Sequence, residues 1–224
     1  MPQAGTSDLF DRLPAGAADR AALGPGAVLL RGCCLAPKGH GTELLAAIER
    51  VASEAPFRHM VTPGGYAMSV AMTNCGEAGW VTDRTGYRYA RNDPESGKRW
   101  PAMPPTFAGL AARAAAAAGF PGFAPDSCLI NRYAPGTKLS LHQDKNERDF
   151  GAPIVSVSLG LPATFLFGGA KRTDPAQRIR LVHGDVVVWG GPSRLVYHGV
   201  ATLKDGAHPE AGRWRYNLTL RKAL

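Results

Sequence analysis

The sequence has few cysteines and no long hydrophobic run. Four cysteines occur in 224 residues, and none shows the C-x-x-C spacing of zinc and redox motifs. Cys33 and Cys34 are adjacent and cannot easily bridge each other. We therefore expect free thiols in a reducing, cytoplasmic compartment. No apolar stretch approaches the ~18 residues of a membrane span, and no basic start leads into an apolar core as in a secretory signal.

Acidic residues are scarce relative to basic ones. The chain has 26 Lys and Arg against 18 Asp and Glu, which gives a formal net charge of +8. After Pro125 there are 14 basic and 8 acidic residues, so most of the excess lies in the C-terminal half. An excess of this kind favours polyanionic partners, nucleic acid above all, although a mildly basic globular protein is the alternative.

The length predicts one domain with a substantial core. Residues 1–25, in which Gly, Pro, Ala and acidic residues are frequent, are predicted to be a partly disordered leader, and 26–224 a single domain. Helical periodicity indicates helices over about 42–54 and 106–118. Both are predicted to flank a sheet.

The most informative stretch runs from Leu129 to Asp144 and is predicted as strand, turn, strand. Pro135 and Gly136 supply the turn between two alternating segments. His142 and Asp144 are two residues apart, so on an extended backbone their side chains leave the same face. An imidazole beside a carboxylate can ligate a metal, yet a bare pair of this kind is more often a surface or turn pair.

A third candidate ligand, His198, lies 54 residues after Asp144 in another short apolar run. Between them the pattern predicts strands over 154–159, 164–167, 179–182 and 186–189. So many short strands indicate a mainly β, α+β fold built as a sandwich or jelly roll, in which distant strands become neighbours. Two histidines and one carboxylate with open positions are typical of non-haem Fe(II) oxygenases.

The C-terminal run alternates from Arg213 to Arg221. One reading is an edge strand whose charged face protects against aggregation. The other is a clamp for a small dicarboxylate, since a guanidinium donates two parallel hydrogen bonds to a carboxylate. The alternation by itself leaves both open. The residues on the polar face of this strand are Arg213, Arg215, Asn217, Thr219 and Arg221.

Aromatic and basic residues are interleaved over 60–100. Tyr66, Trp80 and Tyr87 are interleaved with Arg84 and Arg91 in a segment poor in helical periodicity. Such a composition suits a surface that stacks bases and neutralises phosphate. The alternative is a two-stranded flap that packs its aromatic residues on the core.

Several ordered motifs between residues 27 and 221 resemble the AlkB family of Fe(II)- and 2-oxoglutarate-dependent dioxygenases, which demethylate alkylated nucleic-acid bases. The resemblance is specific because the motifs occur in the same order along most of the chain. They are the segments 60–66, 71–76, 131–136, 141–144, 155–160, 183–191, 197–199 and 215–221.

The resemblance implies a double-stranded β-helix, or jelly roll, over 125–224 with flanking helices and a nucleotide-recognition lid over 60–100. It implies that His142, Asp144 and His198 bind Fe(II) and are catalytic. Arg215 and Arg221 would pair with the two carboxylates of 2-oxoglutarate. Further co-substrate contacts would come from Asn131, Tyr133, Asn217 and Thr219. The implied substrate contacts are Met72, Trp80, Tyr87, Arg88, Tyr89, Lys138, Asn146 and Arg172.

The implied reaction couples decarboxylation of 2-oxoglutarate, with dioxygen, to hydroxylation of an N-methyl group and release of formaldehyde. The expected partner is alkylated single- or double-stranded DNA, or RNA, and the expected state is a monomer. Two other functions remain open: hydroxylation of a protein or small molecule with the same cofactors, and non-catalytic nucleic-acid binding.

The family has an acidic residue two positions after the metal aspartate, where this chain has Asn146. An amide brings no negative charge, so we expect a weaker preference for cationic methylated bases over neutral ones.

His183, in a second His-x-Asp pattern with Asp185, is predicted to lie at a turn and not to bind the metal.

Overall fold

The computed structural model describes residues 19–224, and in that range the chain forms thirteen strands and two α-helices. Short 3₁₀ helices occur at Cys33–Leu35 and Gly191–Ser193. The helices are α1 (His40–Glu54) and α2 (Pro105–Ala117). The strands are β1 (Arg20–Gly24), β2 (Ala27–Leu30), β3 (Ala71–Gly76), β4 (Gly79–Asp83), β5 (Gly86–Ala90), β6 (Ser127–Tyr133), β7 (Leu139–His142), β8 (Ile154–Gly160), β9 (Ala163–Phe167), β10 (Gln177–Leu181), β11 (Val186–Trp189), β12 (His198–Val200) and β13 (Arg215–Arg221).

Two sheets form the body of the protein. The main sheet has seven strands in the order β1-β2-β11-β8-β13-β6-β3, and the minor sheet has four in the order β10-β9-β12-β7. A separate hairpin pairs β4 with β5. Most neighbours in both large sheets come from distant parts of the sequence, as in a jelly roll. The mainly β, α+β jelly roll predicted from the strand pattern is confirmed.

Strand β13 lies inside the main sheet, between β8 and β6, and not at an edge. Its alternating residues therefore face two buried layers. Leu218 and Leu220 pack in the core on the helix side, together with α1 and α2. The opposite face, which carries Arg215 and Arg221, points into the space between the two sheets. Of the two readings of this strand, the solvent-facing edge is thus wrong.

The stretch from Leu129 to Asp144 is strand, turn, strand as predicted, but its two strands belong to different sheets. β6 is in the main sheet and β7 is in the minor sheet. The turn contains Gly136, whose φ of 85° lies in the left-handed region that favours glycine. This crossing carries the chain from the Asn131 side of the inner space to the His142 side.

The predicted domain boundaries need correction. Arg20–Gly24, placed in the leader, is strand β1 and pairs with β2. The rest of that leader, residues 1–18, lies outside the described part. Strand β3, placed in the 60–100 lid, pairs with β6 in the main sheet, and β2 pairs with β11. The jelly roll therefore does not begin at 125, because its main sheet recruits three earlier strands through contacts that local sequence patterns do not reveal.

Over residues 19–224, the helices are too short or too polar for any of them to cross a bilayer. All four cysteines lie in the described range and are free, with Cys34, Cys75 and Cys128 buried.

Candidate metal centre and co-substrate pocket

Three side chains converge at one edge of the minor sheet, where β7 pairs with β12. His142 ends β7, Asp144 follows two residues later, and His198 begins β12. In the minor sheet His198 is the direct partner of His142, so backbone pairing brings the two imidazoles together with ring centroids 4.4 Å apart. One ligand atom from each of the three residues lies within 4.8 Å of the others. The distances from Nε2 of His142 and His198 to the Asp144 carboxylate are 3.8 and 3.7 Å.

Hydrogen bonds fix the tautomer of both histidines. Nδ1 of His142 donates to the carbonyl oxygen of Ser140, at 2.9 Å, and Nδ1 of His198 donates to that of Val196, at 3.1 Å. A carbonyl oxygen can only accept, so the proton of each neutral ring is on Nδ1 and Nε2 keeps its lone pair. Both lone pairs are then available for a metal ion beside the Asp144 carboxylate.

Arg221 holds the Asp144 carboxylate. Its Nη2 and Nε donate to Oδ2 of Asp144 at 2.7 and 3.1 Å, and both residues are buried. Burial would raise the pKa of Asp144, but the Arg221 guanidinium and the two imidazoles outweigh it and hold that pKa below its usual range. For Arg221, burial would lower the pKa, and the attraction of Asp144 raises it instead. Asp144 is therefore ionised and oriented before any metal binds.

A second buried carboxylate belongs to the same cluster. Glu147 contacts the guanidinium of Arg194, with 3.1 Å between Nη2 and Oε2, and that of Arg221, with 3.4 Å between Nε and Oε1. The hydroxyl of Tyr89 donates to Oε1 of Glu147 at 2.6 Å. Sequence reasoning did not identify Glu147 or Arg194 as part of the site, because their partners come from distant segments and no local pattern indicates burial of either charge.

A cavity of about 650 Å³ extends from the three convergent side chains between the sheets. Arg215 is 1% exposed, and its Nη2 donates to Oγ of Ser158 at 3.2 Å. Its Nε and Nη1, and Oδ1 of Asn131, have no hydrogen-bond partner among the described residues. Buried guanidinium donors without partners are costly, which fits a site for an anion. All six predicted co-substrate residues line this cavity: Asn131, Tyr133, Arg215, Asn217, Thr219 and Arg221.

The mouth of the cavity lies under the β4–β5 hairpin. Trp80 and Tyr87 stack with ring centroids 5.7 Å apart, and Tyr87 is 48% exposed. The indole Nε1 of Trp80 donates to Oδ1 of Asn146 at 3.2 Å, which connects the hairpin to the loop after Asp144. Six of the predicted substrate residues line the cavity: Met72, Trp80, Tyr87, Lys138, Asn146 and Arg172.

The structure does not bring Arg88 and Tyr89 to the cavity wall. Arg88 points to the other side of the hairpin, where its Nη1 and Nη2 pair with both carboxylate oxygens of Asp83 at 3.0 and 2.6 Å. Strand alternation requires this, since Arg88 lies between Tyr87 and Tyr89. Tyr89 lies behind the wall and contacts Glu147. Neither residue lines the cavity, and their role as substrate contacts stays a prediction.

His183 lies away from the metal-binding candidates, as the sequence predicts. Its Nδ1 accepts a hydrogen bond from the backbone N–H of Gly160 at 3.0 Å, between neighbouring strands. Asp185 accepts the backbone N–H of Val182 at 2.9 Å, as a turn-forming residue does.

Known proteins are similar to this chain over most of its length. Residues 26–221 match the model of the 2OG-Fe(II) oxygenase superfamily. The chain is 63% identical over 201 residues to the alpha-ketoglutarate-dependent dioxygenase AlkB of Salmonella typhimurium, which covers 90% of this chain and 92% of that protein. The chain belongs to the AlkB family. It is an Fe(II)- and 2-oxoglutarate-dependent dioxygenase and requires both, with dioxygen, for its reaction.

Two further members of the AlkB group extend the comparison. The solved structure of OsALKBH1 has a TM-score of 0.80 at 28% identity and covers 91% of this chain and 100% of that chain. The DNA N(6)-methyladenine demethylase ALKBH1C of Arabidopsis thaliana is 41% identical over 95 residues, which cover 41% of this chain and 21% of that protein. The similarity to OsALKBH1 spans the jelly roll and the regions that flank it.

The residues present fit the cofactors of the AlkB family. Two imidazoles with Nε2 lone pairs and one ionised carboxylate are a donor set suited to Fe(II). The Arg215 donors that lack a partner in the described part of the chain fit one carboxylate of 2-oxoglutarate. The donor chemistry and the buried guanidinium thus agree, independently, with the family assignment.

The buried imidazole of His198 leads to a prediction about stability. Burial lowers its pKa to about 4 from an ordinary value of 6.5. In metal-free protein, the unfolded chain takes up a proton at His198 near pH 6.5, while the folded chain does so only near pH 4. Stability is therefore lost as the pH falls through this window.

We expect His198→Gln to reduce the loss of unfolding free energy between pH 7 and pH 5 by about 2 kcal/mol relative to wild type. Urea unfolding of both proteins with a chelator at the two pH values measures the difference. Equal losses in the two proteins would contradict the assigned protonation of His198.

Proposed function

We propose that this protein demethylates N-alkylated bases in DNA, and in RNA as a second substrate, by oxidation of the N-methyl group with release of formaldehyde. The observation that carries the proposal is the position of the His142, Asp144 and His198 cluster in a cavity whose mouth bears the Trp80–Tyr87 stack. A base needs a stacking surface above the reacting centre, and a peptide or metabolite does not.

The metal would be held by Nε2 of His142, Nε2 of His198 and the Asp144 carboxylate. When bound, Fe(II), 2-oxoglutarate and dioxygen supply the oxidising chemistry, and the protein supplies position and electrostatics. The bond from Arg221 holds the Asp144 carboxylate in one orientation. The carbonyl groups of Ser140 and Val196 do the same for the two imidazoles.

The co-substrate would lie along the inner face of β13. Arg221 is next to the metal ligand Asp144, so we assign it to the carboxylate nearer the metal. Arg215, at the other end of β13, would hold the distal carboxylate through Nε and Nη1, for which residues 19–224 offer no hydrogen-bond partner. Asn131, Tyr133, Asn217 and Thr219 would complete a polar lining around the chain of the keto-diacid.

The target base would leave its stack and enter beneath the hairpin. Trp80 and Tyr87 would contact it, with Met72 and Asn146 beside it in the cavity wall. Lys138 and Arg172, at the mouth, would neutralise flanking phosphates. The hairpin would thus act as the nucleotide-recognition lid. Four free thiols suit a reducing compartment, and we propose that the protein acts as a cytoplasmic monomer.

Turnover of a panel of N-methylated DNA and RNA oligonucleotides tests the proposal. With Fe(II) and 2-oxoglutarate we expect loss of the methyl group by mass spectrometry and an equal amount of formaldehyde. Asp144→Ala serves as the matched inactive control. Turnover of 2-oxoglutarate stimulated by peptides and not by methylated oligonucleotides would instead indicate a protein hydroxylase, and no turnover at all would leave only nucleic-acid binding.

Arg215 provides a test of the co-substrate site. Replacement of its donors in Arg215→Met removes charge-assisted hydrogen bonds of about 1.5–3 kcal/mol, so we expect the KM for 2-oxoglutarate to rise roughly 10- to 150-fold. The control is Arg213→Met, because Arg213 lies two residues earlier and pairs with Asp205 at the surface. A similar KM in both variants would place the distal carboxylate elsewhere.

Asn146 provides a test of lesion preference. An aspartate there would add a negative charge to the cavity wall, and pairing with a cationic base is worth about 1–3 kcal/mol. We expect Asn146→Asp to raise the ratio of 1-methyladenine and 3-methylcytosine repair to repair of neutral lesions in the same oligonucleotide. Asn146→Gln, which keeps the amide, serves as the control. An unchanged ratio in Asn146→Asp would exclude this role.

A further inference from the structure

The outer face of the minor sheet carries two arginines that the active site does not use. Arg178 and Arg180 are both exposed on strand β10, the edge strand of that sheet. Neither has an ion-pair partner within residues 19–224. We refer to Arg178 and Arg180 as the β10 arginines.

Strand pairing fixes the direction in which the β10 arginines point. Arg178 is paired with Leu166 of β9, and Arg180 with Thr164. Directly opposed residues of an antiparallel pair lie on the same face. The intervening Phe165 is buried against Trp189 and His198 between the sheets, so Thr164 and Leu166 face outward. The β10 arginines therefore stand side by side on the outer face.

This face carries positive charge that no acidic residue in the strands of its own sheet offsets. None of β7, β9, β10 and β12 contains Asp or Glu. The loop from β9 to β10 adds Lys171 and Arg172, both exposed, against one carboxylate, Asp174. That carboxylate accepts the backbone N–H of Lys171 at 2.9 Å. The β10 arginines on the outer face and the two basic residues of the adjoining loop thus have a single acid among them.

The positive face is continuous with the mouth of the cavity. Arg172 lines the cavity, and its Nη1 donates to the carbonyl oxygen of Leu141 on β7 while its guanidinium lies 5.1 Å from the ring centroid of Tyr197. From β7 to β10 is three strand spacings, or about 14 Å. Next to Leu166 the outer face passes over Gly199, which has no side chain to obstruct it.

We propose that the β10 arginines bind the phosphate backbone of the nucleic acid beyond the nucleotide that enters the cavity. The distance of about 14 Å between β7 and β10 is close to the ~12 Å width of the DNA major groove. A nucleic acid whose phosphate contacts Arg172 at the mouth would therefore bring another, more distant phosphate onto β10. The contact is with phosphate, so it selects length and strandedness but not sequence. This inference rests on the proposed function, because it extends the same nucleic-acid site.

The test compares two double variants of equal charge change. Arg178→Gln with Arg180→Gln removes the β10 arginines. Arg50→Gln with Arg113→Gln removes two exposed arginines of α1 and α2, on the helical side of the main sheet. Binding to unmodified long single-stranded and duplex oligonucleotides is measured by fluorescence anisotropy at several salt concentrations, and turnover is measured on a methylated trinucleotide.

We expect the β10 variant to bind long oligonucleotides several-fold more weakly and to lower the slope of log K against log salt by about 1.4–1.8, the value for two phosphate contacts. The helix variant should match wild type, and all three proteins should turn over the trinucleotide equally. If the β10 variant loses more affinity for duplex than for single strands, the β10 arginines contact the second strand of the duplex. If the two losses are equal, they contact the strand whose nucleotide enters the cavity.

Equal slopes in the two variants would overturn the inference and leave the β10 arginines as protection of a sheet edge. So would a loss of trinucleotide turnover in the β10 variant, because the arginines would then act on the cavity. Binding is measured on unmodified strands, so a wild-type protein that binds them without demethylation would refute the proposed function but not this inference.

Discussion

The buried contact between Arg221 and Asp144 is the interaction on which the rest of the site depends. A carboxylate and a guanidinium removed from water are destabilising unless each finds a partner of opposite charge. Arg221 meets both Asp144 and Glu147, and Arg194 meets Glu147 as well. The carboxylate that would ligate iron is thereby kept ionised and oriented by groups that belong to the folded protein and not to the cofactor.

This charge network also connects the centre to the hairpin above it. Tyr89 of β5 donates to Glu147, and Trp80 of β4 donates to Asn146. Both acceptors lie in the short loop after Asp144. The loop that follows this metal-ligand candidate therefore also supports the hairpin. The side chains that would meet a base are positioned by the same segment that positions the carboxylate.

The central position of β13 explains how one strand serves both stability and chemistry. Because it has neighbours on both sides, its backbone is fully paired, and its two faces are free to differ. Leu218 and Leu220 bury apolar surface against the helices, while Arg215 and Arg221 face the inner cavity. The apolar face anchors the strand, and this allows costly buried charges to be held at fixed positions on the other face.

The sequence by itself determined the strand pattern, the alternation of β13, and the His-x-Asp pair, since these depend on a period of two along one segment. It also carried the family motifs. Tertiary structure alone decided that β13 is central, that β1, β2 and β3 join the main sheet, and that Glu147 and Arg194 are buried together. Each of these depends on which distant segments become neighbours. A local pattern of apolar and polar residues does not indicate which other segment it will pack against.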